Sequence, residues 1–349
     1  MPNLPPPHWP AWVRRLGRLL AARLGLHRVA PGGVPPSAAA PAVVSPDADA
    51  PASGVAASPV VEPSVAGGGR FVAMTGEPAG EGALDYHLYL PEAAVQGPVP
   101  LLVMLHGCTQ TPEDFALGTR MNELAEAAGV IVAYPAQSAR ANPQRCWNWF
   151  DPANQARGAG EPEAVAAMVR ALLRRHRIDP QRVYVAGLSA GGAAAMVLGE
   201  AYPDLLAAVA VHSGLACGLA RDLPTALAAM REPQAALMAG HRLRLPVIVF
   251  HGDQDRTVHP RNGELILAQA APDWPASRDE AGQQPGGHRW RRTCRLDASG
   301  QVCCEHWLVE GLGHAWSGGS PRGTFTDPLG PDASREILRF LLAQARAPG

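Results

Sequence analysis

The chain has 349 residues, 47% hydrophobic and 17% charged, with a formal net charge of −1. That is enough apolar material for one large domain plus further segments, and the charge balance gives no electrostatic basis for a nucleic-acid partner. All 30 basic residues are arginine, which excludes lysine-based covalent chemistry, and there is no P-loop, dinucleotide fingerprint or zinc spacing. Neither a metal nor an organic cofactor is therefore expected.

Residues 1–29 form a basic segment. Its longest apolar stretch after Arg18, Leu19-Leu20-Ala21-Ala22, is broken by Arg23. That is too short for the apolar region of a secretory signal, and the twin-arginine reading of Arg14-Arg15 fails for the same reason. On a helical wheel Trp12, Val13, Leu16, Leu19, Leu20, Leu24 and Leu26 share one broad face. Arg14 and Arg18 lie opposite, and Arg23 intrudes on the apolar side. Residues 12–26 are expected either to lie peripherally on a membrane or polymer surface or to be an inert tail. No segment is long enough to span a bilayer. Residues 30–69, rich in Ala, Pro, Ser, Val and Gly with no aromatic, read as a disordered linker. Residues 70–349 read as the catalytic domain.

That domain opens with strands near Arg70–Met74 and Asp85–Leu90. A further apolar strand, Pro100–Leu105, runs into His106-Gly107-Cys108-Thr109-Gln110. His106, lying before the turn, is expected to brace this loop rather than titrate in a reaction. Trp147 and Trp149 alternate about Asn148 and would share one face of an extended segment, whether that face is core or cleft. A helix is expected at about 161–177. Then comes the β-branched run Arg182–Ala186, the pentapeptide Gly187-Leu188-Ser189-Ala190-Gly191, and a helix at 190–201. Strand, sharp turn and helix around G-x-S-x-G are what present a serine nucleophile above a sheet edge. The glycines leave room for the turn, and the N–H after the serine starts a helix, where a developing oxyanion is stabilised. Cys108 and Ala190 are the expected oxyanion donors.

Residues 215–244 read as an inserted helical stretch able to roof a pocket. Leu245–Phe250 is a buried-strand run leading into His251–Val258, a turn with two carboxylates, Asp253 and Asp255. A helix is expected at 260–270. A hairpin spans Arg289–Leu308 about Asp297-Ala298-Ser299-Gly300, and Glu305–Val309 leads into the glycine-flanked His314. A last helix is expected at 332–345. Nucleophile, acid and base thus follow in the order Ser, Asp, His, each after a strand. Six cysteines suit an oxidising compartment. A Cys108–Cys146 bridge would pin the oxyanion loop to the segment carrying the tryptophans. Cys294 is expected to face Cys303 or Cys304 across the hairpin, and Cys217 has no evident partner. Cys303-Cys304 with His306 lacks the spacing of a metal site.

HGCTQTPEDFA, RCWNWFDP, GLSAGG, HGDQDRTV and GLGHAWSGG together resemble the poly(3-hydroxybutyrate) depolymerase family of α/β-hydrolase esterases, relatives of feruloyl and acetylxylan esterases. The resemblance runs from about Arg70 to Ala345. It implies an α/β-hydrolase fold, with a mostly parallel central sheet flanked by helices, and a serine carboxylesterase working through an acyl-enzyme. Carried over by motif, Ser189 is the nucleophile, His314 the base and Asp255 the acid, leaving Asp253 to cap its own turn. The resemblance also turns Trp147 and Trp149, and less directly Trp316, toward a substrate cleft. The expected substrates are short hydroxyalkanoate esters or their polymer, with feruloyl or acetyl esters of plant polysaccharide as the alternative. The expected location is extracellular or in the cell envelope, the alternative being cytoplasmic at polymer granules. A polymer- or granule-binding protein on the same scaffold is the non-enzymatic alternative.

Overall fold

A computed structural model of the chain describes residues 68–76, 83–95, 97–270 and 276–347. The amphipathic pattern over 12–26 and the linker up to residue 67 lie outside the described residues. The described residues form one compact unit.

Ten strands make its sheet: β1 (Arg70–Met74), β2 (Tyr86–Leu90), β3 (Val99–Leu105), β4 (Ile131–Pro135), β5 (Ile178–Leu188), β6 (Ala208–His212), β7 (Val247–Gly252), β8 (Ala276–Gln283), β9 (Arg289–Leu296) and β10 (Val302–Val309). Their order is β1-β2-β4-β3-β5-β6-β7-β10-β9-β8. The six central strands from β4 to β10 run parallel; β1 and β2 at one edge, and β9 and β8 at the other, join antiparallel. β3, β4, β6 and β7 are buried along their whole length. This is the signature of parallel strands covered on both faces.

The covering helices are α1 (Pro112–Thr119), α2 (Met121–Ala128), α3 (Gly160–Arg175), α4 (Ala190–Ala201), α5 (Leu223–Arg231), α6 (Arg261–Ala270) and α7 (Ala333–Leu342). Alternation along the strands divides them. Leu102 and Met104 of β3, Ile248 and Phe250 of β7, and Trp307 and Val309 of β10 pack with Phe115, Met121 and Ile337 of α1, α2 and α7. Val103 and Val185 face Val165, Val169 and Leu198 of α3 and α4. A two-stranded parallel pair, β11 (Trp316–Ser317) with β12 (Thr326–Asp327), lies just after the expected base.

One expectation changes. The hairpin forms about Asp297–Gly300 as predicted, with Gly300 N–H on Asp297 O at 3.0 Å. However, a bulge between Val302 and Cys304 puts Glu305 opposite Cys294 and Arg295 opposite Cys304. Cys294, Cys303 and Cys304 are accordingly buried thiols. The stretch 215–244 holds one α-helix, α5, opened by an Asp222–Thr225 capping box. It is tied down by Gln155 Nε2 on Ala220 O (2.9 Å) and Asn262 Nδ2 on Ala229 O (3.1 Å).

Candidate active site

β5 ends at Leu188, and Ser189 turns the chain into α4 with φ 58° and ψ −118°. A non-glycine residue there carries roughly 1–3 kcal/mol of backbone strain that the surroundings must hold. They do so with two bonds: Ser189 N–H donates to His212 O at 2.9 Å, and Ser189 O accepts Ala193 N–H at 3.0 Å. The flanking glycines are needed for space. A Cβ at Gly187 would strike Gly191 O, and one at Gly191 would strike Leu105 O. Gly191→Ala is therefore expected to cost about 3 kcal/mol or more, a fall in Tm of roughly 5–10 °C. Gly313→Ala, where a Cβ meets nothing within 4 Å, serves as the control in the same melts, with a shift below about 2 °C.

The turn after β7 and the loop after β10 are stitched together. Asp253 N–H donates to Val309 O and Gln254 N–H to Leu312 O, both at 3.0 Å, and Asp253 Oδ1 accepts Gly311 N–H at 2.7 Å. The Asp253 carboxylate thus braces the neighbouring loop rather than capping its own turn as expected. This stitching brings Asp255 to His314, with Oδ2 2.7 Å from Nδ1. The other carboxylate oxygen accepts Thr257 N–H and Val258 N–H, each at 2.9 Å. His251 Nε2 donates to Val258 O at 2.9 Å and lies 3.5 Å from Asp255 Oδ2. Burial alone would raise the Asp255 pKa, but the charge of His314 and hydrogen bonds from His251 and His314 outweigh it. They hold the carboxyl well below the usual range. An ionised Asp255 accepts from Nδ1–H and leaves Nε2 of His314 as the bare, basic nitrogen.

The loop after β3 is fixed from three sides. The Cys108–Cys146 disulfide, with Cα atoms 4.2 Å apart, ties it to the tryptophan segment. Thr109 N–H donates to Gln144 O at 2.6 Å, and both Thr109 (φ 70°) and Arg145 (φ 50°) take left-handed conformations beside the bridge. Gln110 Oε1 accepts Gly107 N–H at 2.9 Å, while its Nε2 donates to Asp114 Oδ2 (3.0 Å) and Thr324 O (3.1 Å). His106 braces the loop from beneath. Its Nδ1–H donates to Gly107 O at 2.8 Å and its Nε2 accepts Gln137 N–H at 3.1 Å; burial pushes its pKa down to about 4. Among the described residues, the N–H groups of Cys108 and Ala190 donate to no protein acceptor. Ala190 opens α4, where the first N–H groups have no partner inside the helix.

The tryptophans stand elsewhere than the cleft reading places them. Trp147 is fully enclosed, with Nε1–H on His106 O at 3.1 Å. Trp316 is fully enclosed too, its Nε1–H on Ser334 Oγ at 3.0 Å and its ring edge-on to Phe115. Both bury a large ring and satisfy the indole donor inside the protein, so neither offers a surface to a substrate. Trp149, buried as well, lines a small apolar cavity with Leu105, Pro162 and Ala194. Two supporting residues escaped the sequence reading. Glu161 accepts Asn148 N–H (2.8 Å) and Asn148 Nδ2 (2.7 Å), holding the tryptophan segment, with its pKa raised by burial. His212, at the end of β6, is the other. No local pattern marks either.

A profile of the Esterase PHB depolymerase family matches residues 84–271. Poly(3-hydroxyalkanoate) depolymerase C of Paucimonas lemoignei is 32% identical over 246 residues, 66% of this chain and 56% of that protein. Feruloyl esterase B of Thermothelomyces thermophilus is 29% identical over 204 residues, 53% of this chain and 69% of that one. The chain thus spans between about half and two thirds of these relatives. Among solved structures, an acetyl xylan esterase from Aspergillus awamori has a TM-score of 0.61 at 20% identity, covering 78% of this chain and 98% of that one. The fold is that of an α/β-hydrolase. The profile match takes in more than half of the chain, which belongs to the Esterase PHB depolymerase family.

Proposed function

We propose that this chain hydrolyses carboxylic esters through an acyl-enzyme on Ser189. The observation that carries the reading is the 2.7 Å Asp255–His314 pair on the loops after β7 and β10, and the strained turn that carries Ser189 after β5 supports it. Ser189 Oγ attacks the ester carbonyl carbon and its proton passes to His314 Nε2. The carbonyl oxygen, now negative, takes hydrogen bonds from Cys108 N–H and Ala190 N–H. When the C–O bond breaks, the leaving alkoxide takes the proton back from His314. Water then attacks the acyl-enzyme by the same route, releasing the acid and restoring Ser189. Asp255 fixes the imidazole tautomer and stabilises the imidazolium.

Similarity to the Paucimonas lemoignei depolymerase supports short hydroxyalkanoate esters or their polymer as substrate. Similarity to feruloyl esterase B supports a second reading, aromatic esters of plant polysaccharide. The Cys108–Cys146 bridge supports a location outside the reducing cytoplasm. Residues 70–349 would carry the catalysis, with 12–26 as a peripheral contact to polymer or membrane. Hydrolysis of p-nitrophenyl butyrate, hydroxybutyrate oligomer, polymer film and methyl ferulate tests the substrate. Mass spectrometry of a fluorophosphonate-treated sample tests the nucleophile, with the adduct expected on the Ser189 peptide. A folded protein that hydrolyses none of these and takes no adduct would instead be a polymer binder.

A further inference from the structure

His212 is fully buried at the end of β6 and belongs to neither the nucleophile turn nor the base loop, yet it is bonded to both. Its carbonyl oxygen accepts Ser189 N–H at 2.9 Å. Its ring nitrogen Nε2 accepts Ser317 N–H at 3.0 Å, three residues beyond His314. Because Nε2 accepts, the ring proton sits on Nδ1, which faces Ser213 Oγ at 3.1 Å. The ring is clamped flat, stacked on Trp316 at 5.0 Å and Phe250 at 5.8 Å between centroids. Trp316 is anchored in turn through its Nε1–H to Ser334. Burial, the largest cause, holds the ring neutral. It therefore keeps the bare nitrogen that Ser317 needs.

Resting on the serine mechanism proposed above, we infer that His212 is a positioning residue. It sets the base loop in register with the nucleophile, its main-chain oxygen holding the Ser189 turn and its bare Nε2 holding the loop that carries His314. A main-chain carbonyl alone could be supplied by any residue at this position. The acceptor at the reach of Nε2 could not: a phenyl ring would keep the stacking and leave the Ser317 N–H buried without a partner. A glutamine would place an acceptor at nearly the same reach.

The test compares His212→Phe and His212→Gln in the full chain, with turnover of p-nitrophenyl butyrate normalised to sites titrated by fluorophosphonate. Misplacing a reacting group by about 1 Å costs on the order of 10²-fold. His212→Phe is thus expected to lower kcat per titrated site by about that factor with KM nearly unchanged. His212→Gln is expected to recover a third or more of the wild-type value. A merely structural role would lower the number of titrated sites and leave kcat per site intact, and that result overturns the inference, as does a glutamine variant no better than phenylalanine. Nitrogen-15 spectra of the wild-type histidines give a readout independent of how the variants fold. The resonances assigned to His212, distinct from those of His106 and His314, must show the proton on Nδ1 with Nε2 bare, and a proton on Nε2 of His212 overturns the inference. Wild-type protein that takes no label at Ser189 fails the serine mechanism itself. Labelled wild type with unimpaired His212→Phe turnover fails the role of His212 alone.

Discussion

Replacing Ser189 by alanine is expected to lower kcat/KM for p-nitrophenyl butyrate on the order of 10⁴- to 10⁶-fold, with unfolding free energy changed by less than about 1 kcal/mol. The residual rate would come from binding and the two oxyanion donors. Asp255→Asn makes a sharper test, because it retains the shape of the side chain. One oxygen would remain for the N–H groups of Thr257 and Val258. The amide nitrogen would then face His314 Nδ1–H, with His251 Nε2 close by, so that donors meet where a carboxylate now stands. To escape, His314 must take the other tautomer and present N–H, rather than a lone pair, to Ser189. A loss of roughly 10³- to 10⁴-fold is expected, with KM little changed. Steady-state kinetics and the rate of fluorophosphonate labelling measure both variants. A Ser189→Ala protein retaining a tenth of wild-type activity would point to another nucleophile.

What could be read in the sequence was whatever is encoded locally. β3 and β7 stand out because strands covered on both faces need an unbroken apolar run, and the Ser189 pentapeptide is a self-contained turn. β4 and β6 were missed. They are five residues each, and AVAVH looks no different from the alanine-rich helices around it. β8 has no apolar period at all; its sequence, ASRDEAGQ, forms a strand because β9 offers it a ladder of partners. The tryptophans failed for another reason. Alternation says that Trp147 and Trp149 share a face but not which face meets solvent, and the answer depends on His106, forty-one positions earlier. The Cys108–Cys146 bridge was legible because both cysteines lie in motifs flanking the site. The hairpin cysteines were misjudged because a single bulged residue shifts the pairing. His212 is the extreme case: its two bonds reach residues 23 positions before and 105 positions after it.

Acid is expected to unfold this protein through its buried histidines. His106 is held to about pH 4 and His306 to about pH 3, in both cases chiefly by burial, and His212 is held well below its ordinary value. A histidine whose folded pKa lies below the unfolded value of 6.5 takes a proton in the unfolded chain first. Stability is therefore full above pH 6.5 and falls as pH drops toward the folded pKa. For His106 alone the loss by pH 4 is about 3 kcal/mol, and His306 adds a similar amount. Together they approach the total stability of an ordinary domain. Asp255, with its depressed pKa, adds to the loss once pH falls below the ordinary carboxylate range. Glu161, whose pKa is raised by burial, offsets part of it by accepting a proton in the folded state. His306 isolates the effect, because its Nε2 has no hydrogen-bond partner among the described residues. His306→Leu removes the titration without orphaning a donor. Urea unfolding followed from pH 7.5 to pH 4 should show the variant's pH slope reduced by about 1.4 kcal/mol per pH unit between pH 6 and pH 4. A wild type whose stability is flat across that window would mean these imidazoles are reached by water and already protonated in the native state.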